Sequence, residues 1–130
     1  MLTWNRYGKA RVRLVKVENA ERAHHLIDLT LDVQLEGSFG PVYDGDNALC
    51  VATDTMKNTV YALARRFPIA SVEAFLCRLA DHFIEKAAVS SVRVSASEQA
   101  WTRLADHAFV QPGREQWTAV VTRTAAATSI

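Results

Sequence analysis

The chain has 130 residues and a mass of 14.4 kDa, a size that predicts one domain over residues 1–130 and excludes a two-domain enzyme in one chain. Hydrophobic residues make up 49% and charged residues 22%, which is typical of a soluble globular protein and excludes general disorder. The formal charge is +1, from 15 Lys and Arg against 14 Asp and Glu. Without a basic excess, the chain is not expected to bind nucleic acid.

The two cysteines, Cys50 and Cys77, form no Cys-x-x-Cys pair and have no histidines at zinc-finger spacing. We therefore expect free thiols in a reducing compartment. No run reaches the roughly 18 apolar residues of a membrane span, and the first residues have no signal-peptide core. These features predict a cytoplasmic protein with no membrane partner.

Two strands are predicted first. Between His25 and Glu36, apolar residues alternate with polar ones, which indicates a strand with one buried face. The segment from Arg11 to Val17 alternates less cleanly, with Val12 on one face and Val15 on the other. The two segments together predict an antiparallel hairpin.

Two helices follow a loop that is rich in turn residues. The first runs from Thr53 towards Pro68, and either Thr53 or Asp54 is its expected N-cap. The second is predicted to be capped by Ser71 and carries a strong apolar stripe as far as Ile84.

Two more strands are predicted around residues 92–94 and 117–121, joined through turn residues at 106–113. The order strand, strand, helix, helix, strand, strand predicts an α+β fold, an antiparallel sheet with two helices on one face. The other face of the sheet is then available to an oligomer. The tail from about Thr124 is expected to fray.

The sequence lacks the common motifs of cofactor-binding, phosphate-binding and metal sites. The five glycines form neither a dinucleotide fingerprint nor a phosphate loop, and residues 44–47 begin like a calcium loop whose glycine is misplaced. His82 and Glu85 share a helix face, but a solvated pair explains them better than a metal site. Adjacent His24 and His25 point to opposite faces, and His107 is isolated, so no metal is predicted.

Lys9 and the run from Val51 to Thr59 remain as candidates. Thr53 and Asp54 at the predicted start of a helix allow two interpretations. They either cap the helix, or they belong to a helix N-terminus whose free N–H groups bind an anionic oxygen. A lysine near a hydroxyl can also move a proton if burial depresses the pKa of its amine.

Several motifs, in order over residues 6–123, resemble the N-terminal half of urate oxidase (uricase). They are Tyr7-Gly8-Lys9, Leu35-Glu36-Gly37, Asp46-Asn47, the run Val51–Thr59 with Tyr61, and His82-Phe83-Ile84-Glu85-Lys86. The resemblance implies a tunnelling fold (T-fold), an antiparallel sheet with two helices on one face.

The resemblance also implies an activity: oxidation of urate by O2 to 5-hydroxyisourate and H2O2, a step of purine degradation that needs neither a metal nor an organic cofactor. Lys9 takes the place of the family's catalytic lysine and Thr53 that of its catalytic threonine. Thr53 and Asp54 are implied to bind substrate, Asp54 through its backbone N–H. A Thr53 hydroxyl backed by the Lys9 amine would relay a proton from urate.

A uricase chain ordinarily carries two such domains. The second supplies a histidine, an arginine and a glutamine that clamp urate, a stacking phenylalanine, and an asparagine that faces O2, none of which can be assigned here. We therefore expect a half-subunit completed by a second T-fold domain or chain in a homo- or hetero-oligomer. The alternative is a non-catalytic purine-binding or assembly module, and a weaker one is a single-domain T-fold enzyme that acts on pterins.

Overall fold

The computed structural model describes residues 5–20, 23–105, 108–110 and 116–130. Among these residues, the strands are β1 (Arg6–Ala20), β2 (Ala23–Gly37), β3 (Val89–Gln99), β4 (Thr102–Ala105), β5 (Ala108–Val110), β6 (Gln116–Thr124) and β7 (Thr128–Ser129). The helices are α1 (Thr53–Arg66) and α2 (Val72–Ile84), preceded by a short 3-10 helix (Gly40–Asp44).

The described strands form a five-stranded antiparallel sheet in the order β1-β2-β3-β6-β7, and β4 pairs with β5 in a separate hairpin. The predicted α+β order is confirmed for β1, β2, α1, α2, β3 and β6. The β4–β5 hairpin and β7 add to it. Of the predicted turn region at 106–113, residues 106–107, with His107, and 111–113 lie outside the described residues, and residues 108–110 form β5 instead of a turn.

The core lies between the sheet and the helices. Its sheet side includes the alternating set that predicted β2, together with buried residues of β1, β3 and β6, and its helix side is the apolar stripe of each helix. The buried apolar residues of β2 are Ile27, Leu29, Leu31, Val33 and Leu35; the buried residues of the helices are Met56, Val60, Ala64, Phe75, Leu76, Leu79, Ala80 and Phe83.

Strand β1 is longer than predicted and contains a β-bulge. The pairing with β2 shifts register between Lys9 and Val12, where Arg11 has a φ of 55° and donates its N–H to Asp32 Oδ1 at 2.8 Å. One extra residue reverses which side chains face the core. Odd-numbered Lys9 therefore lies on the same, helix-facing side of the sheet as even-numbered Val12 and Leu14.

The two helices begin differently. Helix α1 has Ala52 at its N-cap, and in the described structure no side chain caps it, so the prediction that Thr53 or Asp54 is the cap was wrong. The extended backbone of Ala52 places Thr53 inside the first turn. Helix α2 is capped as predicted, because Ser71 Oγ accepts a hydrogen bond from Ala74 N at 3.1 Å.

The tail after Thr124 turns back on itself. Thr124 N donates to Ala127 O at 2.8 Å, and Thr128 pairs with Arg123 of β6. As for membranes, the helices built by the described residues are too short or too polar to cross one.

Candidate functional site

Lys9 lies on β1 directly opposite Val33 of β2, and its side chain is half-buried. It lines an open pocket of about 180 Å3 together with Tyr7, Asp32 and Gln34. Lys9 therefore lies on the edge strand of the sheet, where β1 enters its bulge.

Gly8 explains how the two strands approach so closely beside Lys9. A Cβ atom at this position would lie 1.8 Å from the carbonyl oxygen of Val33, which is backbone and has no room to move aside. Only glycine fits a position with such a contact. The Gly8-Lys9 pair thus sets the lysine on a tightly paired part of the sheet.

Thr53 and Asp54 are the first two residues of α1, and both are exposed. The bond from Met56 N to Ala52 O, at 3.1 Å, is the first of the α-helical ladder. The N–H groups of the preceding turn have no helical acceptor, because an α-helix leaves its first N–H groups unpaired. This end of α1 can therefore offer N–H groups and a positive dipole to an anionic oxygen.

Tyr7 connects the lysine strand to the segment that leads into Thr53. Its hydroxyl donates a hydrogen bond to Val51 O and accepts one from Val51 N, both at 2.8 Å. Its ring meets Phe39 edge-on, with 4.7 Å between centroids. Burial, followed by a hydrogen bond with the Cys50 thiol, raises the pKa of the Tyr7 hydroxyl, so it stays neutral and can both donate and accept.

A second contact fixes α1 along β1. Tyr61, two turns into the helix, donates its hydroxyl to the carbonyl oxygen of Arg13 at 2.7 Å. Lys9 lies on β1 between Tyr7 and Arg13, so the Thr53 end of α1 is held towards the Lys9 end of the strand. In the described part of the chain, no hydrogen bond joins Lys9 directly to Thr53.

The sequence analysis did not predict that Tyr7 anchors the segment before Thr53, and it named this residue only as part of a motif. A signal was present: Tyr7 and Lys9 are two residues apart on one strand and therefore share a face. Its partner Val51 lies two residues before Thr53. No local pattern, however, indicates a contact across 44 positions.

The remaining candidate groups do not form a site. His82 is half-buried with its ring edge-on to Phe83, and burial, followed by the charge of Lys86, lowers its pKa. Glu85 is exposed just beyond α2. Within the described ranges, no three His, Cys, Asp or Glu side chains cluster as a metal site would require, and both cysteines are free thiols.

Comparison with known proteins shows the family of this chain. The family model for uricase matches residues 5–122. The chain belongs to the uricase family. The uricase of Arthrobacter globiformis is 46% identical over 125 residues, covering 93% of this chain and 41% of that protein. The uricase of Cyberlindnera jadinii is 35% identical over 126 residues, covering 88% and 42% respectively.

Solved uricase structures show the same fold. The crystal structure from Arthrobacter globiformis superposes with a TM-score of 0.92 at 44% identity, covering 98% of this chain and 46% of that one. The structure from Bacillus fastidious gives a TM-score of 0.79 at 25% identity, with 96% and 48% coverage. The predicted T-fold is confirmed, and the chain spans less than half the length of these uricases.

Proposed function

We propose that this chain is a uricase half-subunit, which contributes Lys9, Thr53 and Asp54 to a site that oxidises urate with O2. The observation that carries the proposal is the paired hydrogen bond between Tyr7 and Val51, in a chain of the uricase family. This bond holds the strand of Lys9 to the segment that opens α1 at Thr53.

The chemistry assigned to these residues is proton transfer and anion binding. Urate is an anion at neutral pH, and the N–H groups of Thr53 and Asp54 suit its oxygen atoms. Loss of a further proton, through the Thr53 hydroxyl to the Lys9 amine, makes urate a better electron donor. Two electrons then pass to O2, and water adds to the ring, so that urate, O2 and H2O give 5-hydroxyisourate and H2O2.

A second T-fold domain or chain completes the site in this proposal. The pocket beside Lys9 has a volume of about 180 Å3 and is open to solvent, and its lining does not include Thr53 or Asp54. Sites that bury small molecules usually occupy about 300 to 1,000 Å3. The remaining wall, with the histidine and the urate clamp, is therefore assigned to the second half. The free thiols of Cys50 and Cys77 suit the cytoplasm, which we propose as the location.

The proposal is tested by mixing the purified chain with a uricase C-terminal half and measuring urate consumption and H2O2 release. Lys9→Met and Thr53→Ala are each expected to lower turnover by about 100-fold or more, the scale of a positioned proton-transfer group. Lys86→Met, in an exposed residue beyond the end of α2, is the matched control and should leave turnover unchanged.

Two results would overturn the catalytic proposal. One is unchanged turnover in both Lys9→Met and Thr53→Ala. The other is saturable urate binding by calorimetry without H2O2 release in the presence of the second half. The latter result would assign the chain as a non-catalytic purine-binding module.

A further inference from the structure

A basic groove lies at the end of α1 that is remote from Thr53, where the chain turns into α2. It is open to solvent and has a volume of about 400 Å3, within the range of small-molecule sites. Its lining residues are Lys16, Val17, Glu18, Arg65, Arg66, Phe67 and Pro68. It shares no lining residue with the pocket beside Lys9.

The floor of the basic groove is held by a short network of polar contacts. Lys16 Nζ donates to the carbonyl oxygen of Phe67 at 3.0 Å and lies 2.9 Å from Glu18 Oε1. The same Glu18 oxygen accepts the N–H of Ile69 at 2.7 Å. These bonds fix the helix connection against β1, so the groove has a defined shape.

Glu18 does not neutralise the arginines. Burial raises the pKa of its carboxyl, but the hydrogen bonds from Lys16 and Ile69, with the charges of Lys16 and His25, outweigh burial and lower it overall. Glu18 is therefore ionised at neutral pH. Its charge is matched by Lys16, with which it forms an ion pair.

The arginines supply an excess of positive charge. Arg65 and Arg66 are exposed in the last turn of α1, and the described structure shows no carboxylate paired with either. From α2, the Arg78 guanidinium lies 3.8 Å from the centre of the Phe67 ring, and that of Arg66 lies at 5.2 Å. Arg65 and Arg66 thus line the groove, and Arg78 adds a third positive charge beside Phe67, in a chain whose net charge is +1.

The helix dipole explains only part of this arrangement. Basic residues are favourable in the last turn of a helix, which accounts for Arg65 and Arg66. It does not account for Arg78, which comes from the other helix and converges on the same aromatic ring. Stacking on Phe67 limits the rotamers of Arg66 and Arg78 and leaves their N–H edges available, so less entropy is lost when they bind an anion.

We propose that the basic groove binds the phosphate group of a small phosphorylated molecule. Guanidinium groups match phosphate oxygens in bidentate geometry, and a phosphate monoester carries about −1.5 to −2 charges at neutral pH. The groove is larger than a phosphate ion requires, which favours a phosphate ester over free phosphate. This site does not depend on the proposed urate chemistry.

Isothermal titration calorimetry of the full chain tests the proposal, with inorganic phosphate, a nucleoside monophosphate and the matching nucleoside as probes at constant ionic strength. We expect saturable binding of the monophosphate, and a loss of affinity of about tenfold in Arg65→Gln and in Arg66→Gln, each of which removes a charge-assisted contact. Arg65 makes no described contact that folding needs, so its variant should fold normally. Arg93→Gln, an exposed arginine on β3, is the matched control and should bind like the original chain.

The three probes show whether the groove binds a phosphate ester, inorganic phosphate or only the uncharged part of the ligand. Tighter binding of the monophosphate than of inorganic phosphate supports an ester, and equal binding supports the phosphate group alone. No saturable binding of either overturns the proposal. So does equal binding of the uncharged nucleoside, or an equal loss of affinity in Arg93→Gln.

Discussion

The hydroxyl of Tyr7 satisfies both polar groups of a single residue, Val51, which lies 44 positions away. One bond would restrain the distance between the two segments, but the pair also restrains their orientation. Because Lys9 follows on the same face of β1 and Thr53 follows Val51 along the chain, this contact sets how the two proposed catalytic groups lie relative to each other.

Tyr7→Phe removes both hydrogen bonds and keeps the ring. We expect a loss of about 1–3 kcal/mol in the free energy of unfolding, because Val51 N–H and C=O lose their partner. If the proposed function holds, kcat of the assembled enzyme should fall by about tenfold or more, since misplaced proton-transfer groups act on the chemical step. Urea unfolding and steady-state kinetics measure the two effects.

Phe39→Leu provides the control for Tyr7→Phe, because it removes the edge-on ring contact and keeps the hydroxyl. It should lower stability with little change in kcat. If both variants lower kcat equally, Tyr7 acts only through packing, and its positioning role is wrong.

Glu18 gives a prediction about pH. Its carboxyl pKa is lower in the folded chain than the ordinary 4.5, so the ionised carboxylate stabilises the fold above that pH. This stabilisation is lost as the pH falls through the folded-state pKa. Glu18→Gln should therefore lower the unfolding temperature at about pH 7 and have a smaller effect at a pH below 4.5. Thermal unfolding of Glu85→Gln at both pH values is the control, and a pH-independent effect of Glu18→Gln would contradict the prediction.

At the scale of elements, the contrast between the two helix starts is itself testable. Ser71→Ala removes the cap bond of α2 and should cost about 1 kcal/mol in the free energy of unfolding. Thr53→Ala removes no cap bond in the described structure and should be nearly neutral in the same urea titration. A comparable loss in both variants would mean that Thr53 also stabilises its helix, and its effect on turnover could then not be assigned to chemistry alone.

Local periodicity predicted most of the elements. Apolar residues alternate without interruption from Ile27 to Leu35, and the apolar stripe of α2 follows the helical repeat throughout. Both elements form as predicted. Strand β1 has no single period, because the bulge at Arg11 moves the core-facing side chains from odd to even positions. Periodicity therefore indicates only the part of β1 after the bulge and misses the part before it, which carries Lys9.

The arrangement of the candidate site is harder to predict from local periodicity than the fold is. The catalytic and substrate-binding roles of Lys9, Thr53 and Asp54 are implied by resemblance to a family, and they stay predictions. Their arrangement depends on the contacts of Tyr7 with Val51 and of Tyr61 with Arg13, which join distant segments. Periodicity describes neighbours along one element, so it carries no information about contacts of this kind.

At the scale of the whole molecule, the sheet is covered unequally. The helices pack on one face, and the opposite face of β1 leaves Val15 and Val17 exposed at 55% and 52%. On the same face, Asp28 is buried, held by two hydrogen bonds from Arg13 at 2.9 and 2.7 Å and one from Trp101 at 3.0 Å. On this face, hydrogen bonds fix the side chain of Asp28, and exposed apolar side chains lie beside it. A surface that another sheet covers would have these two features.

We therefore expect Val17→Glu to weaken assembly with a second half or a second copy, because the new carboxylate must lose its hydration when another sheet covers this face. Light scattering after size-exclusion chromatography should show a shift towards the 14.4 kDa monomer, with an unchanged circular dichroism spectrum. Leu49→Glu is the matched control, since Leu49 is 54% exposed but lies in the loop before α1, and its assembly should be unaffected. If Val17→Glu assembles as the original chain does, the face of β1 that carries Val15 and Val17 stays exposed in the oligomer. The subunits must then contact each other through another surface.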